Sequence, residues 1–360
     1  MWTMVEKGPL PDQYTRCVFA TSFLKAGHVT ECQNLLKVFS EGDAADVVTW
    51  NIYLHSLCID KGVKEALSVL SSIMEKGFVP GNVTCNTILR GLCMDRYIKE
   101  ALDFLDHFDW GMSRPDVISF NTILSAACKK GDSSMIQKVL FRMGVEGIEL
   151  DVVSMTCLIQ YFGKVGKFKE CLKFFKHMIG NGQSPTTITY NVLLNILCKK
   201  GYHVAAYKML DEFQNTGTFP DTTSYNILIA AYAKNGDFFS VEGLLIDMYR
   251  QGLSPDAITY GSLSYGLCKE KRIRGALHLE HQMTEQEVKP TISYYNNLLD
   301  AMFRANRLWD VFLILYKMEI QGIEPDVVSL KIFNNAMAKG GKKSKAMKVI
   351  EILMRRRQRE

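Results

Sequence analysis

Proline stands at 80, 115, 185, 220, 255, 290 and 325, so every interval in the series is 35 residues or twice 35. The one gap, at 150, holds Leu150 in a segment that otherwise keeps the pattern, and Pro11 precedes Asp12 as Pro115 precedes Asp116. A fixed period between 20 and 50 residues marks a stack of equal units in which each unit buries its apolar face against its neighbours. A chain of 360 residues would otherwise divide into two or three globular domains. The period overrides that division, because a stack has one continuous core however many units it contains.

The units run 13–46, 47–81, 82–116, 117–151, 152–186, 187–221, 222–256, 257–291, 292–326 and 327–360, and we number positions within each from 1 to 35. Residues 1–12 match the end of such a unit through Lys7-Gly8-Pro9-Leu10-Pro11-Asp12. They are expected to be the C-terminal remnant of a truncated repeat, in a longer protein with earlier repeats and a targeting segment not present in this chain. Position 3 is Ser or Thr in Thr49, Thr84, Ser119, Ser154, Thr189, Ser224, Thr259 and Ser329, and its hydroxyl is expected to N-cap a first helix. Apolar residues follow at positions 4, 7, 8 and 11, as in Phe120, Ile123, Leu124 and Ala127, which is the buried stripe of an amphipathic helix. Glycine near position 15 (Gly131, Gly166, Gly201, Gly236) turns the chain into a second helix, such as 169–179 or 241–251. That helix stops at a glycine near position 31, and the ladder proline favours an extended link onward. The expected fold is all-α: an α-solenoid superhelix of about ten 35-residue helical hairpins.

Composition narrows the function classes. No stretch supplies the roughly 20 apolar residues a membrane helix needs; the longest segment without Asp, Glu, Lys or Arg, 177–198, is broken by Gly180, Asn181, Pro185, Asn191 and Asn195. Five of the ten cysteines (Cys58, Cys93, Cys128, Cys198 and Cys268) recur at position 12, which is a packing position, and no CxxC pair exists. Neither a zinc site nor a redox site is expected, nor any other metal or cofactor. His278-Leu279-Glu280-His281 carries the His-x-Glu of zinc deaminases but lacks the Pro-Cys-x-x-Cys that would complete it. No phosphate loop or nucleophile constellation is visible, and no enzymatic activity is expected.

On the face opposite the buried stripe three positions repeat, and the residue that closes each unit repeats with them. Position 5 is asparagine in Asn51, Asn86, Asn121, Asn191, Asn226 and Asn296, although asparagine is a mediocre helix former. Position 13 is basic in Lys25, Lys129, Lys164, Lys199, Lys234, Lys269, Arg304 and Lys339. Position 2 is aliphatic in Val48, Val83, Ile118, Val153, Ile188, Ile258 and Val328, and the last residue of the unit (position 35 in a full-length one) is Asp in Asp46, Asp116, Asp151, Asp221, Asp256 and Asp326. An amide and a carboxylate can bond to a base edge, an aliphatic side chain packs on a base face, and a lysine meets a phosphate. Such columns fit single-stranded RNA, one base to a repeat. The competing reading of Asp is a helix cap, and that of the whole stack is a scaffold that binds proteins.

Segments such as Asp116-Val117-Ile118-Ser119-Phe120-Asn121 and Thr187-Ile188-Thr189-Tyr190-Asn191-Val192-Leu193-Leu194, with the closing Gly-x-x-Pro-Asp, resemble the pentatricopeptide repeat family, P class, over essentially the whole chain. The resemblance implies an organellar RNA-binding protein of the mitochondrion (alternatively the chloroplast), acting in RNA processing, stabilisation, splicing or translation. It also implies a monomer on single-stranded RNA, with other organellar RNA-processing proteins as partners, and base choice set by positions 5 and 35. In that scheme the pairs Asn86/Asp116, Asn121/Asp151, Asn191/Asp221, Asn226/Asp256 and Asn296/Asp326 each read U. Asn51 with Gly81 keeps a pyrimidine preference, and Thr156 with Thr186 leans to purine. Cys17/Asp46, Gly261/Thr291 and Lys331 give no assignment, so the implied RNA is N-Y-U-U-R-U-U-N-U over the first nine units. The alternative is a protein-interaction scaffold, such as a structural part of an organellar ribosome.

Overall fold

The computed structural model describes residues 12–40, 47–108 and 114–339. The remnant at 1–11, Asp46, and the final segment 340–360 with Arg355, Arg356 and Arg357 lie outside the described residues. All regular structure among the described residues is α-helical, in nineteen helices. They fall into two compact units, up to Gln183 and from Ser184 onward.

The first unit contains α1 (Gln13–Lys25), α2 (Val29–Ser40), α3 (Val47–Asp60), α4 (Val63–Glu75), α5 (Asn82–Met94), α6 (Ile98–His107), α7 (Val117–Lys130), α8 (Ser133–Val145), α9 (Val152–Val165) and α10 (Phe168–Gly180). The second contains α11 (Thr187–Lys199), α12 (His203–Asn215), α13 (Thr222–Lys234), α14 (Phe238–Arg250), α15 (Ala257–Lys269), α16 (Ile273–Glu285), α17 (Ile292–Arg304), α18 (Leu308–Ile320) and α19 (Val327–Lys339). In each unit an odd-numbered helix packs against its even-numbered partner and against the next odd-numbered helix. The odd-numbered helices therefore form a row, and the stripe that joins them is the expected one: Phe120, Ile123, Leu124 and Ala127 are all fully buried, as are Tyr190 and Leu194. The position-4 aromatics Tyr225 and Tyr260 are likewise core. All ten cysteines are free thiols, and burial pushes those of Cys85, Cys93 and Cys128 up to about 12.

The turns explain two regularities, and the first helices hold one surprise. Second helices from α8 to α18, and α4, end where the chain goes left-handed, as at Gly77, where the Gly77 amide donates to Met74 O at 2.9 Å and the Phe78 amide to Ile73 O at 3.0 Å; α6 ends instead on extended Phe108. These paired bonds satisfy carbonyls the helix would leave open. The turn at position 15 needs the same backbone, and where glycine is missing a side-chain residue takes it: Arg96, Lys271 and Asn306 all have positive φ, and Glu287 does so at position 31. The surprise is position 10, where Gly91 and Gly266 let successive first helices approach closely. A Cβ on Gly266 would stand 2.5 Å from the Ala233 carbonyl oxygen, and one on Gly91 would stand 2.6 Å from Cys58 Sγ.

One sequence expectation needs correction. The hydroxyl at position 3 is not the N-cap, because the first helices begin three residues earlier, at position 1. Asp116, Asp151, Asp221 and Asp256 are the N-caps of α7, α9, α13 and α15, each accepting from the backbone amide of the position-3 residue. Position 3 is N3, and its hydroxyl completes a capping box by accepting from the amide of the cap residue, as Ser154 does from Asp151 at 3.0 Å. An ionised carboxylate takes precedence at the positive end of a helix. Similarly, α14 starts at Phe238 rather than at 241, because Asp237 caps it.

Candidate nucleic-acid interface

The row of first helices brings position 5 of one repeat to position 35 of the same repeat and position 3 of the next. Asn86 Nδ2 donates to Asp116 Oδ1 at 3.4 Å, and Ser119 Oγ donates to Asn86 Oδ1 at 2.7 Å. In the second unit, Nδ2 of Asn191, Asn226 and Asn296 donates to Oδ1 of Asp221, Asp256 and Asp326 at 3.1, 3.0 and 3.1 Å. The hydroxyls of Ser224, Thr259 and Ser329 return the bond to the asparagine carbonyls at 2.6, 2.5 and 2.6 Å. The hydroxyl at position 3 thus ties cap to amide, a role invisible when each position is read alone.

This corrects the placement of position 5. Asn51, Asn121, Asn226 and Asn296 are buried and Asn86 and Asn191 half-buried, whereas position 2 on the same helices is exposed. The asparagines sit between neighbouring first helices rather than on the open face. Asn121 is the exception within the network: its Nδ2 donates to both oxygens of Asp151 at 3.0 Å, and its buried Oδ1 has no partner among the described residues. Burial works to raise the Asp116, Asp151, Asp221, Asp256 and Asp326 carboxyls. Hydrogen bonds from the N3 residue and from asparagine outweigh it, and all five are held below the usual carboxylate range. They are therefore anions, and acceptors only, at neutral pH.

Clefts open at two of these pairs. One of about 960 Å³ is lined by Ile118, Asn121, Lys129, Asp151 and Val153. Another of about 480 Å³ is lined by Lys269, Asn296, Arg304, Asp326 and Val328. Each gathers an aliphatic face, an amide, a carboxylate and a cation.

Comparison with known proteins fits this geometry. The PPR repeat family model matches residues 45–94, 150–199, 185–234 and 220–269, and a second PPR repeat model matches 83–108, 118–148, 258–288 and 293–323. The chain belongs to the PPR repeat family. Among solved structures it is similar to the pentatricopeptide repeat protein PPR10 in complex with an 18-nt psaJ RNA element, at 21% identity and a TM-score of 0.66. That match covers 89% of this chain and 47% of the other, so the chain spans about half the length of PPR10. A cysteine-to-serine variant of PPR10 with the same RNA gives the same figures, and PPR10 from maize matches at 22% identity, TM-score 0.46, over 99% and 63% of the two chains. Comparison with curated protein sequences gives no match. With the helices above, the likeness places this PPR chain in the all-α solenoid class.

The remaining expected positions of this PPR chain divide. Val48, Val83, Ile118, Val153, Ile188, Ile258 and Val328 are all exposed, between 47% and 69%. Lys25, Lys129, Lys164, Lys199, Lys234 and Lys269 are exposed on the last turns of their helices. Lys269 Nζ donates to Lys234 O at 2.6 Å, and Arg304 is already paired with Asp300. Lys339 ends α19, and its side chain lies outside the described ones. Thr156 turns its hydroxyl back to Val152 O at 2.6 Å. Gly81 cannot cap by side chain, so only the reciprocal bond to Thr84 Oγ1 remains, at 3.3 Å. Glu280, in the His-x-Glu segment, is bound instead to Lys317 and Tyr295. No helix among the described residues is long and apolar enough to cross a membrane.

Proposed function

We propose that this chain binds single-stranded RNA, one base to a repeat, reading uracil at the five Asn/Asp pairs. The observation that carries the reading is the pairing of a half-used amide with an anionic carboxylate in an open cleft. One asparagine N–H is spent on the aspartate, which leaves a donor beside a charged acceptor. Uracil offers a complementary edge, its N3–H donating to the carboxylate and a carbonyl accepting from the amide. Cytosine offers its amino group and ring nitrogen in the same way, which makes it second choice. Purines must bring a larger ring to the same groups. The aliphatic residues at position 2 pack the base faces and the exposed lysines track the phosphates. PPR10, the structural relative, is seen with RNA. The chain's role is then to occupy an organellar transcript, in the mitochondrion or the chloroplast, for processing, stabilisation, splicing or translation. It does so as a monomer on RNA, without catalysis of its own, alongside other RNA-processing proteins.

Equilibrium titration tests this. RNA carrying U at the five paired positions should bind on the order of tenfold or more tighter per correct base than mismatched RNA, following the value of a bidentate base contact. Equal binding to a shuffled, purine-rich oligonucleotide of the same length would remove the readout.

A scaffold reading has one observation in its favour. Trp309, Leu313, Tyr316 and Ile320 form an exposed apolar stripe along α18, 51% to 84% exposed. It lies on a second helix, away from the Asn/Asp pairs, and is compatible with RNA on the first helices.

A further inference from the structure

Repeat 257–291 departs from its neighbours at both reading positions. Gly261 stands where asparagine stands in six other repeats, and Thr291 replaces aspartate and makes no side-chain cap to α17. A Cβ on Gly261 would meet nothing within 4 Å, so the space is open rather than filled by a neighbour. Asn297, the nearest amide, is spent on Gly261 O at 3.0 Å and Ser264 Oγ at 2.8 Å. The cleft of about 530 Å³ here, lined by Ile258, Gly261, Tyr265, Thr291, Ser293 and Asn297, holds no carboxylate and no uncommitted amide. It cannot read a base edge as the others do.

In their place it has an exposed aromatic ring. Tyr265 lies one helical turn beyond Gly261 and is 44% exposed. Of the exposed aromatic residues described in the second unit, Tyr202, Phe219, Phe239, Tyr249, Trp309 and Tyr316 sit on second helices or links; Tyr265 alone is on a first helix. Its hydroxyl makes no hydrogen bond among the described residues, unlike those of the core tyrosines Tyr260, Tyr294 and Tyr295. Lys234 lines the same cleft, and Tyr265 with Lys269 lines the adjoining one, so the ring stands beside cations that suit phosphates.

We propose that Tyr265 is an aromatic stacking site for a nucleobase, and that repeat 257–291 holds its base by the ring face, purines better than pyrimidines. The missing asparagine side chain makes room for the larger ring, and the larger ring gains more from stacking. Ser293 at position 2 of the next repeat supplies no aliphatic cover, and the apolar lining of the cleft comes from Ile258 and Tyr265 with Ile292, Ala230 and Ala257. The site is tolerant of sequence because every base has a π-face.

The proposal rests on the RNA reading and is tested with the full chain and an RNA carrying 2-aminopurine at the eighth nucleotide of the register. Binding should quench the fluorophore through stacking. Tyr265→Phe should keep both quenching and affinity, whereas Tyr265→Ala and Tyr265→Leu should lose the quenching and weaken binding about five- to hundredfold. An abasic eighth nucleotide should weaken the wild type by a similar factor and Tyr265→Ala hardly at all. Quenching and affinity unchanged in Tyr265→Ala, with uracil still selected at the ninth nucleotide, would overturn this proposal alone. No binding of any RNA by the wild type would overturn the RNA reading and this one with it.

Discussion

Gly266→Ala should destabilise the second unit by about 1–3 kcal/mol, the usual cost of forcing a methyl into a packed site, while Gly261→Ala should stabilise it. The two glycines lie on one helix, five residues apart, so ordinary helix propensity favours alanine at both by about 1 kcal/mol. What differs is the neighbour. At 266 the new Cβ would lie 2.5 Å from Ala233 O and 2.8 Å from Ala233 C, both backbone atoms of α13 that cannot rotate away. Relief requires the two first helices to separate, and that separation would stretch the Asn226–Asp256–Thr259 network between them. At 261 the Cβ meets nothing within 4 Å. Urea unfolding followed by helical circular dichroism should move the two midpoints in opposite directions. Because a stacked array unfolds locally, hydrogen exchange in α13 and α15 should quicken in Gly266→Ala. Midpoints shifted upward in both variants would contradict the close approach of α13 and α15.

Replacing Lys129, Lys164, Lys199 and Lys234 together by alanine should weaken RNA binding on the order of 10²- to 10³-fold at about 0.1 M salt. Each phosphate contact to a single strand contributes roughly 0.7 to the slope of log K against log salt, so four lost contacts should flatten that slope by about 3. All four side chains are exposed, so circular dichroism should be unchanged. Arg304→Ala should cost less than any of the lysines, because Arg304 is already neutralised by Asp300. A salt slope unchanged in the quadruple variant would place the phosphates elsewhere.

The period, the helical hairpins and the buried stripe were legible in the sequence because each depends on residues that recur at one position. Ala127 and Leu194 are buried for the reason their spacing announces. The partners of a residue were harder to read, since they lie in other repeats. Position 3 reads as a cap because serine and threonine are good caps, with aspartate the competing reading; the geometry decides for aspartate and shows the hydroxyl reaching the asparagine carbonyl behind it. The spacing of Asp116 and Ser119 is that of a capping box, and this was the available signal. The left-handed turns at Arg96 and Lys271 carry no signal in the residues themselves, and only their register with Gly131, Gly166, Gly201 and Gly236 points to them; Asn306 adds the tolerance of asparagine for that conformation. Gly91 and Gly266 could have been seen as interruptions in good helices, but what each approaches is a tertiary fact.

The central claim is that an Asn/Asp pair chooses the base, and Asn121 is where it is most exposed to test. Its Nδ2 bonds both oxygens of Asp151, and its Oδ1 has no partner among the described residues. Threonine at 121 would remove that amide and free the carboxylate, which could then take both N–H groups of a guanine edge. RNA selected from a pool randomised at the fourth nucleotide, with the rest of the register fixed, should return uracil for the wild type and shift towards guanine for Asn121→Thr. The same base profile for both proteins would contradict the account.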